Sequence, residues 1–133
     1  MTTTRLNEST DALLRLALRA DAILTGLAGL VSLPLAGRFA ELSGTTPAFE
    51  YAMSAFFIAY GIAVLALAAL PTLRTAGMTV IVANLLYTVA AVVFVLAGVY
   101  PLTAFGVAAV LATGVYTAAF AELQYLGWRR LTR

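Results

Sequence analysis

The chain has 133 residues, of which 62% are hydrophobic and only 11% are charged, and its formal net charge is +2. A soluble domain is typically about one-quarter charged, so this composition predicts a single domain, residues 1–133, whose solvent is lipid. The lack of cysteine and histidine excludes disulfides, Cys/His metal sites and a Ser-His-Asp triad, and we predict no metal, cofactor or catalytic residue. The small net charge without a basic cluster predicts no nucleic-acid partner.

Four apolar stretches are long enough to cross a bilayer, which takes roughly 20 mostly apolar residues in a helix. The first is the least clear, because its uncharged part, 22–37, is only about 24 Å long at 1.5 Å per residue. To cross a hydrocarbon core of about 30 Å it must begin near Leu16, which places Arg19 and Asp21 inside the helix. The predicted helices are 13–36, 49–70, 76–99 and 102–128.

The connections between the predicted helices are short except for 37–48, GRFAELSGTTPA. This outer loop is predicted to form a short interfacial helix followed by a turn at SGTTP. Pro101 separates the third and fourth helices, because it lacks a backbone donor and disfavours helix in the residue before it. Short connections predict that consecutive helices pack as antiparallel hairpins. The fold class is therefore all-α, a polytopic membrane protein with a four-transmembrane-helix bundle.

The arginines predict the orientation of the bundle. With four spans, both termini and the connection at 71–75 lie on one side, and the opposite side holds only Arg38. The positive-inside rule makes the arginine-rich side cytoplasmic. We therefore predict cytoplasmic N- and C-termini in a bacterial cytoplasmic (inner) membrane, the bacterial origin being suggested by the use of arginine alone as the basic residue. The arginines on this side are Arg5, Arg15, Arg19, Arg74, Arg129, Arg130 and Arg133.

Polar residues recur at a similar depth in three of the predicted helices. At 1.5 Å per residue, Asp21 and Glu122 lie about 8–9 Å and Asn84 about 14 Å from the arginine-rich edge. Intramembrane polar residues usually face the bundle interior or pair with one another. These three residues and Arg19 are therefore predicted to form an intramembrane polar cluster. Arg19 lies on another face of its helix from Asp21, and either snorkels to the surface or reaches Glu122 or a neighbouring subunit.

The role of this cluster has three interpretations. The favoured one is a structural clamp, in which Asp21 and Glu122 pair with an arginine such as Arg15, Arg19 or Arg129. The others are ligand binding or proton coupling, and simple exposure at the interface. Deeper polar side chains are candidates to line a pocket, although packing is the simpler role for the tyrosines. These candidates are Thr25, Tyr60, Tyr87 and Tyr116.

Three segments resemble small bacterial four-helix membrane proteins of the DoxX-like type. They are LTGLAGLVSLPLAGRFAELSG at 24–44, FFIAYGIAVLAL at 56–67 and AELQYLGWRR at 121–130. The resemblance covers nearly the whole chain in topology and implies a four-helix architecture. It carries over no catalytic residue.

These features favour a small non-catalytic integral membrane protein, an accessory or interaction subunit or a binder of a lipid-like ligand. The alternative is a small-molecule transporter using Asp21 and Glu122. A lipid- or quinone-modifying membrane enzyme ranks third, since the sequence has no visible catalytic constellation. The expected partners are the lipid bilayer and a larger membrane complex or further copies of the chain.

Overall fold

The computed structural model describes the backbone of residues 2–131 and the side chains of residues 10–131. Throughout this part of the chain the secondary structure is helical, without strands, and four segments are long and apolar enough to cross a membrane. The predicted all-α four-helix membrane fold is confirmed. The backbone forms α1 (Thr2–Ser32), a 3₁₀ turn (Leu33–Leu35), α2 (Ala36–Ser43), α3 (Pro47–Ala68), α4 (Arg74–Ala97) and α5 (Ala104–Arg129). The Arg5 side chain and Arg133 lie outside the described residues.

The first helix differs from the predicted 13–36 at both ends. It begins at Thr2, and within its first half Arg15 pairs with Asp11 across one turn at 2.9 Å, an arrangement that supports helix. It ends at Ser32 because Pro34 has no N–H and its ring crowds the preceding turn, so the backbone tightens into a 3₁₀ turn. Helix resumes in α2, which occupies most of the predicted outer loop and ends at Gly44 in the left-handed conformation.

The helices pack as two pairs. α1 runs along α3 and α4 runs along α5, and the pairs are joined mainly through α1 and α5. α3 and α4 are consecutive and connected by only five residues, 69–73, but their backbones approach each other at few places. The predicted hairpin packing therefore describes α4 and α5 but not α3 and α4. The bundle is consequently open along the side between α3 and α4.

Glycines allow the backbones of α1 and α3 to touch. A Cβ placed on Gly61 would lie 2.7 Å from the carbonyl oxygen of Ala22 and 2.9 Å from the Cα of Gly26. No side chain fits at such a distance, and small residues at helix crossings are typical of membrane bundles. The crossing lies directly beside Asp21 on one helix and Tyr60 on the other, so it sets the distance between them.

The end of the bundle that carries Arg15, Arg19, Arg74, Arg129 and Arg130, here called the arginine-rich end, holds the apolar core. The Arg15 guanidinium donates to the carbonyls of Ala68, at 2.6 Å, and Leu70, at 2.9 Å, and so closes the end of α3. The Trp128 indole donates to the Arg74 carbonyl at 2.9 Å. The buried core residues are Leu14, Leu18, Ala22, Val64, Ala68, Leu73 and Val80.

Aromatic rings span the open side between α3 and α4. Phe56 and Tyr87 stack with ring centroids 6.5 Å apart, and Phe49 and Phe94 stack at 5.3 Å. Rings of this size bridge backbones that small residues would leave unconnected. They do not fill the space between the helix pairs, and cavities remain behind them.

Candidate ligand-binding site

Asp21 lies at the centre of a polar cluster that joins all four long helices. Its side chain is 0% exposed. Its Oδ2 atom accepts hydrogen bonds from the Tyr60 hydroxyl on α3 at 2.7 Å, the Gln124 amide on α5 at 2.9 Å and the Asn84 amide on α4 at 3.0 Å. One carboxylate oxygen on α1 therefore connects the other three helices.

The second oxygen of the carboxylate is also occupied. Oδ1 of Asp21 accepts from the Thr25 hydroxyl at 3.0 Å and from the Tyr116 hydroxyl at 3.2 Å, and these two hydroxyls lie 2.9 Å from each other. All five groups around the carboxylate are uncharged donors. The carboxyl group is therefore positioned as an acceptor at both of its oxygens.

The expectation that Glu122 belongs to this cluster is wrong. Glu122 is exposed, whereas Gln124 is completely buried and donates to Asp21. Two residues rotate a helix by about 200°, so Gln124 and Glu122 face opposite sides of α5. Gln124 also accepts from Asn84 at 3.0 Å, which links α4 to α5. A buried glutamine carries no charge, and a search for charges among apolar residues therefore misses it.

The expected pairing of Asp21 with an arginine is also wrong for the described side chains. Arg19 is exposed and lies on another face of α1, Arg15 binds Asp11 and the end of α3, and the Arg129 guanidinium lies 5.8 Å from the ring centroid of Tyr125. Long basic side chains near helix ends reach the interface, where their charge is solvated. The helices are joined at Asp21 by neutral hydrogen-bond donors instead of ion pairs.

A cavity of about 300 Å³ lies against the cluster, between the two helix pairs. The four residues expected to line a pocket, Thr25, Tyr60, Tyr87 and Tyr116, all line it. Asp21 does not line the cavity and lies behind the hydroxyl groups of Thr25, Tyr60 and Tyr116. The remaining lining residues are the polar Asn84, Thr113 and Thr117 and the apolar Leu24, Ala28, Phe56, Phe57, Ala83 and Ala112.

The cavity opens towards the membrane, and two further cavities lie beyond it towards the opposite end of the bundle. Phe56 and Leu24 are about half exposed, at 50% and 52%, and stand at its rim. These two cavities, of about 380 and 370 Å³, share Phe57 with it. Both include Ser43 and Glu50, near the start of α3. Three neighbouring cavities therefore lie between the polar cluster and the far end of the bundle.

Comparison with protein-family models, with curated proteins and with solved structures finds no match to this chain. The site is therefore interpreted from its own chemistry. Its titratable lining residues are three tyrosines, and the rest of its wall offers hydroxyl, amide and apolar surface. Such a wall suits non-covalent binding of a molecule with an apolar body and one polar end.

Proposed function

We propose that this protein is a small non-catalytic membrane protein that binds a lipid-like amphiphile within the bilayer. The observation that carries the proposal is the cavity between the helix pairs, whose wall combines apolar side chains with hydroxyl and amide groups that are concentrated beside Asp21. Pockets for small molecules combine an apolar body with a few oriented polar groups in this way. The half-exposed Phe56 at the rim supports access from the surrounding lipid.

The setting of the protein is part of the same proposal. The arginine-rich end faces the cytoplasm of a bacterial cell, following the positive-inside rule, and the polar head of the ligand lies in the inner leaflet of the cytoplasmic membrane. The resemblance of 24–44, 56–67 and 121–130 to DoxX-like proteins supports this architecture. A larger membrane complex or a second copy of the chain is the proposed protein partner.

The transport alternative has less support than binding. It requires Asp21 and Glu122 to act together, and Glu122 lies on the opposite face of α5 from the cluster. Catalysis by an acidic pair is disfavoured for the same reason. Binding needs neither group to exchange a proton.

Mass spectrometry of the purified protein tests the proposal. The protein is extracted in mild detergent, freed of bulk lipid, and its bound small molecules are identified. We expect an amphiphile enriched over its share of the membrane extract. Ala112→Phe fills the cavity from α5 and should remove this molecule, whereas Ala119→Phe, at an exposed position of α5 outside the three cavities, should retain it. Bound molecules in the same proportions as bulk lipid in all three proteins would refute the proposal.

A further inference from the structure

The hydroxyls of Thr25, Tyr60 and Tyr116 form the polar wall of the cavity beside Asp21, and all of their hydrogens are donated to acceptors within the protein. Thr25 donates to Asp21, and the single hydroxyl hydrogen of Tyr116 goes to Thr25 or to Asp21. The Tyr60 hydroxyl donates to Asp21 at 2.7 Å, the shortest contact in the cluster. Because each hydroxyl has only one hydrogen, these three groups have none left for a ligand and present oxygen lone pairs to the cavity.

The side-chain oxygen of Asn84 is a hydrogen-bond acceptor that lacks a donor of its own. Its two amide hydrogens go to Asp21 and Gln124, and its Oδ1 atom has only the Tyr60 hydroxyl nearby, at 3.0 Å. Tyr60 has one hydrogen for two acceptors, and its shorter distance to Asp21, 2.7 Å against 3.0 Å, assigns that hydrogen to the carboxylate. Turning the Asn84 amide over would place its oxygen against the oxygens of Asp21 and Gln124, so the orientation is fixed. The side chain is only 2% exposed and lines the cavity, so this acceptor is buried beside the ligand space.

The polar residues further along the cavity follow the same pattern. Tyr87 donates to Thr113, and Thr113 donates to the carbonyl of Val110. Thr117 uses its hydrogen on the carbonyl of Gly114 or on Thr88. Every hydroxyl and amide hydrogen assigned along the wall has an acceptor within the protein. The cavity therefore offers a ligand hydrogen-bond acceptors and no free donor.

The electrostatics of the cavity also favour a ligand that donates hydrogen bonds, and one with a positive charge. No arginine among the described side chains forms an ion pair with Asp21, and the carboxylate lies behind the wall where a low dielectric strengthens its field. The rings of Phe56, Phe57 and Tyr87 line the same space, and aromatic faces attract cations. A cation bound in the cavity would supply the missing opposite charge.

Building on the proposed function, we propose that the ligand is a lipophilic amine, bound through its ammonium group at the oxygens of Tyr60, Asn84 and Tyr116. An ammonium group offers three donors and a positive charge, which match the acceptors and the carboxylate. An acceptor-only head, such as the carbonyls of a quinone or a ketone, would leave the acceptor of Asn84 unpaired and face oxygen with oxygen.

Competition between matched probes tests the proposal. The protein, in discs of zwitterionic lipid at neutral pH, is given equal membrane concentrations of decylamine, decanol and nonyl methyl ketone. Each bound probe is quantified by mass spectrometry, and the amount bound to Ala112→Phe is subtracted. One charge-assisted hydrogen bond predicts that the amine exceeds the ketone about tenfold, with the alcohol between them. Bound ketone equal to or above amine overturns the amine proposal and leaves the amphiphile proposal standing, whereas binding of no probe, together with no enriched natural amphiphile, overturns both.

The Asp21→Asn variant tests why the wall lacks donors. An asparagine amide placed at the Oδ1 position faces Thr25 and Tyr116, whose hydroxyls then accept and turn their hydrogens towards the cavity. The ratio of bound amine to bound ketone should therefore fall about tenfold. Tyr51→Phe, at an exposed position outside the cavities, should leave it unchanged. An unchanged ratio in Asp21→Asn would contradict the proposal, and the wild-type ratio alone decides it if the variant does not fold.

Discussion

Replacing Gly61 with alanine should force α1 and α3 apart. The new Cβ would lie 2.7 Å from the carbonyl oxygen of Ala22, and a carbon and a carbonyl oxygen rarely approach closer than about 3.3 Å. The two helices must therefore separate by about 0.6 Å at the crossing. Both atoms that meet the Cβ most closely belong to backbone, so no side-chain rotation can relieve the contact.

The separation would also lengthen the hydrogen bond between Tyr60 and Asp21, because these residues directly adjoin the crossing. A bond of 2.7 Å would become about 3.3 Å and lose most of its strength. Overpacking costs about 1–3 kcal/mol, and an interhelical hydrogen bond in a membrane contributes about 0.6 kcal/mol. We expect Gly61→Ala to be less stable by about 2 kcal/mol than a variant with the same gain in helix propensity and no clash.

Gly26→Ala is that matched variant. Its Cβ would meet only the Cα of Gly61, at an ordinary contact distance of 3.7 Å. Both variants are unfolded by heat and by denaturant in the same mild detergent, with helix content followed by circular dichroism. Equal unfolding free energies for Gly61→Ala and Gly26→Ala would contradict this close approach of the two backbones.

Three further substitutions test other parts of the bundle by the same unfolding measurement. Gln124→Leu removes a hydrogen-bond donor to the Asp21 carboxylate and should destabilise the protein by about 2 kcal/mol. Its control, Glu122→Gln, should change the stability by less than about 0.5 kcal/mol. A reversal of this order would contradict the assignment of the buried face of α5. Arg15→Met opens the end of α3 and should cost about 1–2 kcal/mol, while Arg19→Gln serves as its control. Thr103 caps α5 by accepting from the Gly106 amide at 3.0 Å, and its hydroxyl donates to the Leu42 carbonyl. Thr103→Ala removes this cap, so it should lower the stability by about 1 kcal/mol and speed hydrogen exchange in the first turn of α5. Unchanged hydrogen exchange in that turn would argue against the cap.

The sequence predicts the spans and part of the site because burial in lipid leaves a strong signal. A carboxyl group within an apolar helix is costly unless it faces partners, and Asp21 stands out for that reason. Gln124 does not stand out, because an amide near a helix end resembles many surface residues and only the rotation of α5 decides which face is buried. The rise per residue gives the depth of a residue in the membrane, but the face of the helix on which it lies relative to the bundle depends on how the helix is rotated.

The opening between α3 and α4 cannot be predicted from the sequence for a different reason. A short connection fixes the distance between two helix ends, but the packing of the remaining turns depends on side-chain size at the contact. Gly61 allows α3 to lie against α1, while Phe49 and Phe56 hold it away from α4. These preferences appear only when the facing residues on another helix are known.

The position of Asp21 makes the stability of α1 in the membrane depend on the later synthesis of α5. Translation begins at the N-terminus, so α1 exists before most of the groups that bind its carboxylate. Tyr60 follows 39 residues later, Asn84 follows after 63, and Gln124 follows after 103. Until α5 has entered the membrane, Asp21 lacks donors that a carboxylate in hydrocarbon needs. A chain that stops before Gln124 leaves a charge in lipid without its full set of partners, so the synthesis of α5 completes the binding of α1.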